Sequence, residues 1–367
     1  MNNPDICVVT SAHDFNDDRI FHKQIKSLLE EGLSITYLSK PTEVEFHHPS
    51  FTHLDIPQEK SKLKRVLAIH RLYKKCLEVN ARVYHLHDPE LVILASKLRK
   101  AGKKVIFDIH EDYKSSILAT GLPFKGLIAN LWDRYEKQVC NKLSFLICAD
   151  TYIFNRYKNP NKIVLGNYPP LRFLPSIRPE KPETFTIVYA GGVNKARGVE
   201  RLIQALDKVK GAFRLSLIGP CKDENLLKLI RSKSYIDYHG KVDWAEVGSY
   251  LKKGSLGVAL YEPSINFTYC TGEGIVKIFE YLGNGLPILT SDFPNLKVFV
   301  DDNNVGDTTD PLNIEEIASK IEVYLNNPDL LKAQSIVGYN LVREKYNWDL
   351  ASKSFVKLYK EDLLELA

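Results

Sequence analysis

An α/β architecture of two doubly wound parallel sheets in tandem is predicted by three observations. Strand-length apolar runs are continuous rather than alternating, as in parallel strands covered on both faces. These runs alternate with helical patterns from end to end. Between Gly166 and Phe185 five prolines (169, 170, 175, 179 and 182) fall without periodicity, a boundary by composition. At 367 residues the chain exceeds one ordinary core, in keeping with two domains.

The first set of predicted strands is 6–10, 34–38, 83–86, 104–109, 145–148 and 163–165; the second is 186–189, 214–218, 236–239, 256–259 and 287–290. Asp88-Pro89 reads as an N-cap and first-turn proline opening a helix over 90–101. Val199, Leu202, Ile203, Leu206 and Val209 form one apolar face of a second helix, and Ile275, Ile278, Phe279 and Leu282 that of a third. In the third helix Glu273, Lys277 and Glu280 share the opposite side. The domains expected are 1–170, 171–345 and a C-terminal helix over 346–367.

Composition narrows the function classes. Residues 1–170 carry net charge +6 and the remainder −1. The basic residues gather at Lys60, Lys62, Lys64, Arg65, Arg71, Lys74 and Lys75, interleaved with leucines and valines, and again over 97–104. Such a stretch is a solvated helix face, or a surface for an anionic membrane or acidic substrate. Nucleic-acid binding is not expected, since the excess is modest and no recognition module is present. Six scattered cysteines (7, 76, 140, 148, 221 and 270) include no CxxC pair, so reduced thiols are expected. No targeting segment and no run of about 18 apolar residues is evident, which predicts a cytoplasmic protein, peripheral at most on the inner face of the membrane.

In such sheets ligands bind beyond the carboxyl ends of the strands, where the polar clusters fall here: 11–19, His87-Asp88, 108–112 and 191–197. Gly191, Gly192, Lys195 and Arg197 link a strand to a helix. A cation at a helix start opposes the macrodipole, and a bound diphosphate would remove that conflict. Gly272 and Gly274 let a backbone approach a ligand at a helix N-terminus, a seat for phosphate. Lys277 adds a charge there, and Glu280 can accept a pair of ribose hydroxyls. The alternative for Lys277 and Glu280 is a surface ion pair. His110, just past a buried strand, could hydrogen-bond a sugar or move a proton, or could simply be a satisfied strand-end residue. His85, His87, Asp88, His110, Glu111 and Asp112 together would also suit a metal-dependent hydrolase.

The run Gly-Gly…Lys195-Ala-Arg197-Gly, followed about eighty residues on by Lys277-Ile-Phe-Glu280-Tyr-Leu-Gly-Asn-Gly-Leu-Pro, resembles the family 4 glycosyltransferases of the GT-B fold. The resemblance extends through His87-Asp88-Pro89-Glu90, Asp108-Ile-His-Glu-Asp-Tyr113, Asn167-Tyr168-Pro169 and Tyr346-Asn-Trp348. It implies two Rossmann-like domains facing a cleft and a last helix crossing back to the first. It also implies a nucleotide-diphosphate sugar as donor and transfer with retention, without metal or other cofactor. Carried over by position, Arg197 and Lys277 neutralise the diphosphate, Glu280 holds the ribose, and His110 contacts the donor sugar. Gly240 and Val242 border the base. The acceptor implied is a glycan or lipid-linked molecule, as in surface-polysaccharide assembly.

Two departures stand out. The family often has glutamates eight apart, but eight before Glu280 is Gly272; either a local shift lets Glu273 reach the sugar or the first glutamate is absent. Five before Arg197, where the family often has arginine, is Gly192, and Lys195 is the residue placed to compensate. A nucleotide-sugar epimerase or hydrolase of the same fold and a non-catalytic GT-B scaffold remain the rival readings.

Overall fold

A computed structural model describes residues 3–57, 62–263, 268–269 and 272–365, without the side chains of 62, 63, 244, 245 and 272. Lys60 and Cys270, singled out above, lie outside the described residues. The chain divides into two compact units, Met1–Gly166 with Leu350–Ala367, and Asn167–Asp349.

The first unit is built on a seven-stranded sheet of order β3-β2-β1-β4-β5-β6-β7, every described pair parallel. Its strands are β1 Ile6–Val9, β2 Ile35–Ser39, β3 Phe51–Asp55, β4 Val83–Leu86, β5 Lys104–Ile109, β6 Phe145–Cys148 and β7 Lys162–Val164. β1, β2, β4 and β6 are buried throughout, which is why their sequences read as unbroken apolar runs. The end of the chain packs into this unit: Tyr359 Oη lies 2.7 Å from His85 Nδ1, and Arg82 and Lys104 donate to the carbonyls of Leu364 and Leu363.

The second unit holds a six-stranded parallel sheet of order β10-β9-β8-β11-β12-β13. Its strands are β8 Phe185–Ala190, β9 Phe213–Ile218, β10 Ile236–Gly240, β11 Leu256–Ala259, β12 Ile288–Ser291 and β13 Gly306–Thr309. Asn167-Tyr168-Pro169 and Tyr346-Asn-Trp348 meet here. The rings of Tyr168, Tyr346 and Phe279 pack at centroid separations of 4.9–5.4 Å, and the Trp348 N–H donates to the Pro169 carbonyl at 3.0 Å. These motifs therefore pin the segments that border the unit.

Two strands escape the sequence reading. β3 is an edge strand with half-exposed residues, and β13, Gly-Asp-Thr-Thr, has no apolar side chain. In both sheets the strand order reverses beside the first strand, between β1 and β4 and between β8 and β11. The loops leaving those strands thus open where doubly wound sheets bind ligands. Among the described residues no helix is long and apolar enough to cross a membrane.

Candidate active site

In the second unit, the loop after β8 and the helix Val276–Gly283 meet at the reversal point. Gly191, at φ +130°, closes the strand and donates its N–H to the Ile218 carbonyl at 2.9 Å. A Cβ there would lie 3.0 Å from Lys277 Nζ and 3.2 Å from Arg197 Nη1, so two cations bracket one bare stretch of backbone. Gly192 continues this surface against the Arg197 guanidinium. Arg197 is set by a tight turn: Asn194 Oδ1 accepts its N–H at 3.0 Å, and Gly198 follows at φ +72°. A Cβ on Gly198 would strike the Leu260 carbonyl oxygen, so only glycine lets the helix Val199–Leu206 start there.

Lys277 corrects the amphipathic reading. It does not face solvent beside Glu273 and Glu280 but is buried at 7% exposure. Its Nζ stands 4.1 Å from the Tyr189 ring centroid and 5.4 Å from that of Tyr261, and has no hydrogen-bond partner among the described residues. Ring faces attract the ammonium but do not replace its hydration. Burial, and then the Arg197 charge, hold the lysine well below its usual range; Glu280 opposes them. Tyr189 is itself fixed, its hydroxyl donating to the Gly192 carbonyl at 2.7 Å. Tyr281 seats the helix: its hydroxyl accepts the Ala190 N–H at 2.7 Å, and its ring occupies the space left by Gly257. The helix start at Ile275 has no side-chain cap; the Ile278 N–H turns back to the Ile275 carbonyl at 3.1 Å, and the Val276 and Lys277 amides precede it.

The remaining residues are distributed unevenly. Gly240, at φ +68°, ends β10 and accepts the Gly219 N–H at 2.7 Å; Gly219 in turn packs on the Gly191 carbonyl, so Gly240 belongs to the same floor. Val242 follows in the turn, half-buried. Gly272, Glu273 and Gly274 form one short turn of 3-10 helix before Val276, and the Glu273 carbonyl accepts the Asn167 N–H at 3.4 Å. Lys195 stands apart: it is 68% exposed, with Glu200 at 3.7 Å, and the structure does not bring it to Gly191.

His110 belongs to the first unit, in a node centred on Asp108. Arg19 grips this fully buried carboxylate with two bonds of 2.9 and 3.0 Å, Gln24 adds a third at 2.6 Å, and His110 Nε2 stands 3.4 Å away. Burial alone would raise the Asp108 pKa, but Arg19 holds it well below the carboxylate range. Burial lowers His85 to about 3. Donor atoms of His85, His87 and Asp108 lie within 4.8 Å of one another, a grouping that fits a metal by distance alone. Its chemistry fits poorly, because both Asp108 oxygens already serve Arg19 and a divalent ion would sit against a guanidinium. Glu111 is exposed, and Asp112 caps the helix Tyr113–Leu118 and pairs with Arg156, so neither joins a donor set.

Asp88 supplies a second correction. It precedes the turn Pro89–Leu91 but makes no side-chain cap. Its carboxylate turns back to β1, accepting from the Thr10 hydroxyl at 2.7 Å and the Ser11 and Ala12 amides, with His13 Nδ1 at 3.0 Å. Burial alone would lower the His13 pKa, but the Asp88 bond and charge raise it. The sequence reading missed His13 and Arg19; their only local signal was position in the polar loop after β1.

Both units are Rossmann-like parallel-sheet folds, an α/β architecture of the GT-B kind. Over 97% of this chain and 98% of the other, the structure is similar to sucrose-phosphate synthase from Thermosynechococcus elongatus, with TM-score 0.76 and 13% identity. HepE of Anabaena, solved in complex with UDP, is similar over 97% of this chain and 99% of its own at TM-score 0.73 and 12% identity. Residues 184–327 match the family model described as Glycosyl transferases group 1, so the second unit carries a group 1 glycosyltransferase domain. An uncharacterized glycosyltransferase of Haemophilus influenzae is 25% identical over 217 residues, 56% of this chain and 57% of the relative; the chain thus spans little more than half of that relative's length.

Proposed function

We propose that the chain transfers a sugar from a nucleotide-diphosphate donor, with retention, to a glycan or lipid-linked acceptor in surface-polysaccharide assembly. The observation that carries this reading is the buried Lys277 ammonium, without a hydrogen-bond partner among the described residues and converging with Arg197 on Gly191. Breaking a sugar–phosphate bond piles negative charge on the departing diphosphate. Cations already desolvated and fixed bind that charge more tightly in the transition state than in the ground state.

Arg197 and Lys277 take the diphosphate oxygens, the amides at the start of the helix Val276–Gly283 add donors, and Glu280 accepts the ribose hydroxyls. Gly240 and Val242 border the base. The acceptor hydroxyl attacks on the leaving-group face and passes its proton to a diphosphate oxygen, so the site needs no carboxylate nucleophile, in contrast to a retaining glycosidase. In the first unit His110 keeps Nδ1 for a sugar hydroxyl, its Nε2 being turned to Asp108 and to His87 at 3.3 Å. The donor set described supplies no reason to route the reaction through a metal. The basic first half of the chain favours an anionic, membrane-borne acceptor and peripheral attachment on the cytoplasmic side.

A thermal-shift panel of UDP, GDP, ADP and CMP with their common sugar conjugates, with and without EDTA, tests the reading; HepE makes UDP the first choice. A ligand at about 100 times its Kd should add about 2.7 kcal/mol. Stabilisation by one nucleotide, indifferent to EDTA and cut to about half in Glu280→Ala, is the expected result. No nucleotide response with a strong response to divalent metal would shift the function to the histidine–carboxylate node.

A further inference from the structure

Exposed large apolar side chains crowd one stretch of the first unit. Leu122, Phe124, Leu127, Ile128 and Leu131 are 41–82% exposed, and all lie between the helix Tyr113–Leu118 and the third turn of the helix Lys125–Cys140. Phe124 is the most exposed of them at 82% and takes φ +53°, a left-handed conformation unusual for a bulky residue. On the helix, Leu127, Leu131, Arg134 and Gln138 follow one another along an exposed stripe. The eighteen residues 115–132 contain a single charge, Lys125.

The charges at the margin have one available sign. Lys125 opens the helix, whose start at Phe124 has no side-chain cap, and exposed Arg134 sits one turn beyond Leu131. Asp133, the carboxylate next to Arg134 in sequence, is taken by Lys137 at 3.0 Å and Arg156 at 2.6 Å. The result is an exposed apolar stretch with Lys125 within it, Arg134 beyond it and the positive end of a helix at Phe124. A bilayer takes exposed apolar side chains without a shaped partner and supplies phosphates to the cations beside them.

We infer that residues 119–131 insert into the headgroup layer of an anionic membrane, with Phe124 deepest and Lys125 and Arg134 at the phosphates. The inference rests on the reading of a membrane-borne acceptor and names the element that reaches the membrane.

Sedimentation of the full chain with phosphatidylcholine vesicles, with and without about one third phosphatidylglycerol, tests it. Phe124→Ser/Leu127→Ser should lower partitioning at least about tenfold, since both side chains leave the apolar layer, while the nucleotide-induced thermal shift is unchanged. Phe124→Trp should be quenched by brominated acyl chains. Wild-type partitioning by the double variant, or an unquenched Phe124→Trp, overturns the inference. If neutralising Lys64 and Arg65 abolishes binding that the double variant retains, membrane attachment stands and this segment's part in it falls. Failure of the wild type to bind any vesicle at low salt removes both. A dimer in size-exclusion chromatography that the double variant dissolves overturns it as well, giving the face to a second copy.

Discussion

Each unit buries charge at the carboxyl end of its sheet, and the two do so in opposite ways. In the first, Asp108 is enclosed with its counterion: Arg19 and Gln24 together give it three hydrogen bonds. In the second, Lys277 is enclosed beside a like charge, with aromatic faces around it and no hydrogen bond among the described residues. A buried charge that brings its partner with it organises a fold. One that lacks a partner costs stability until an anion arrives, and so marks a binding site.

The comparison is broken most sharply by removing one member of each group. Asp108→Asn leaves Arg19 buried without its counterion and should cost about 3–5 kcal/mol in chemical denaturation. Lys277→Met should leave the unliganded protein as stable or more so, because a desolvated cation is replaced by an isosteric apolar chain. The same variant should lose about 100–1000-fold in sugar transfer. Equal destabilisation by both would erase the distinction between the units.

Smaller effects sharpen it. Glu280→Ala should weaken nucleoside binding by about tenfold, the scale of a charged hydrogen-bond acceptor lost from the ribose, whereas the matching nucleobase or phosphate alone should bind it as well as the wild type. Lys195→Ala should change nucleotide affinity by less than about twofold, since the side chain is exposed and paired only at the surface. The first unit carries a pH signature of its own. Burial raises Glu136 to about 7, against the opposing hydrogen bond from Tyr157. The unfolded chain loses this proton near pH 4.5 while the folded one keeps it, so stability falls as pH rises from about 4.5 to about 7. Glu136→Gln should flatten that part of a melting-temperature profile.

How far the molecule could be read from its sequence follows from the same physics. Strands buried on both faces announce themselves as apolar runs, and β4, β5, β6 and β11 fall where those runs fall. β3 and β13 are half-exposed or polar, so no local signal marks them. The polar loop around Arg197 and the helix holding Lys277 were legible as phosphate-seeking elements, because glycine and cation spacing is local. That Lys277 points inward was not, since its aromatic cage comes from β8 and from the segment after β11. Arg19 was overlooked for a similar reason: its partner Asp108 is 89 residues away and is brought to it by parallel pairing. Asp88-Pro89 had the local look of a cap, but the backbone amides of a neighbouring strand's loop compete for that carboxylate and hold it.

The claim that Lys277 awaits a diphosphate is tested most directly by isothermal titration of UDP, GDP and ADP in buffers of different ionisation enthalpy, on the wild type and Lys277→Met. Burial holds the free lysine well below its usual range, and a bound diphosphate raises it, so whatever fraction has lost its proton regains it on binding. Affinity should then fall as pH rises through the pKa of the free protein. Net proton uptake with one of these nucleotides, absent in Lys277→Met together with most of the affinity, is the expected result. Binding of equal strength in both proteins, with no difference in proton uptake, would contradict it.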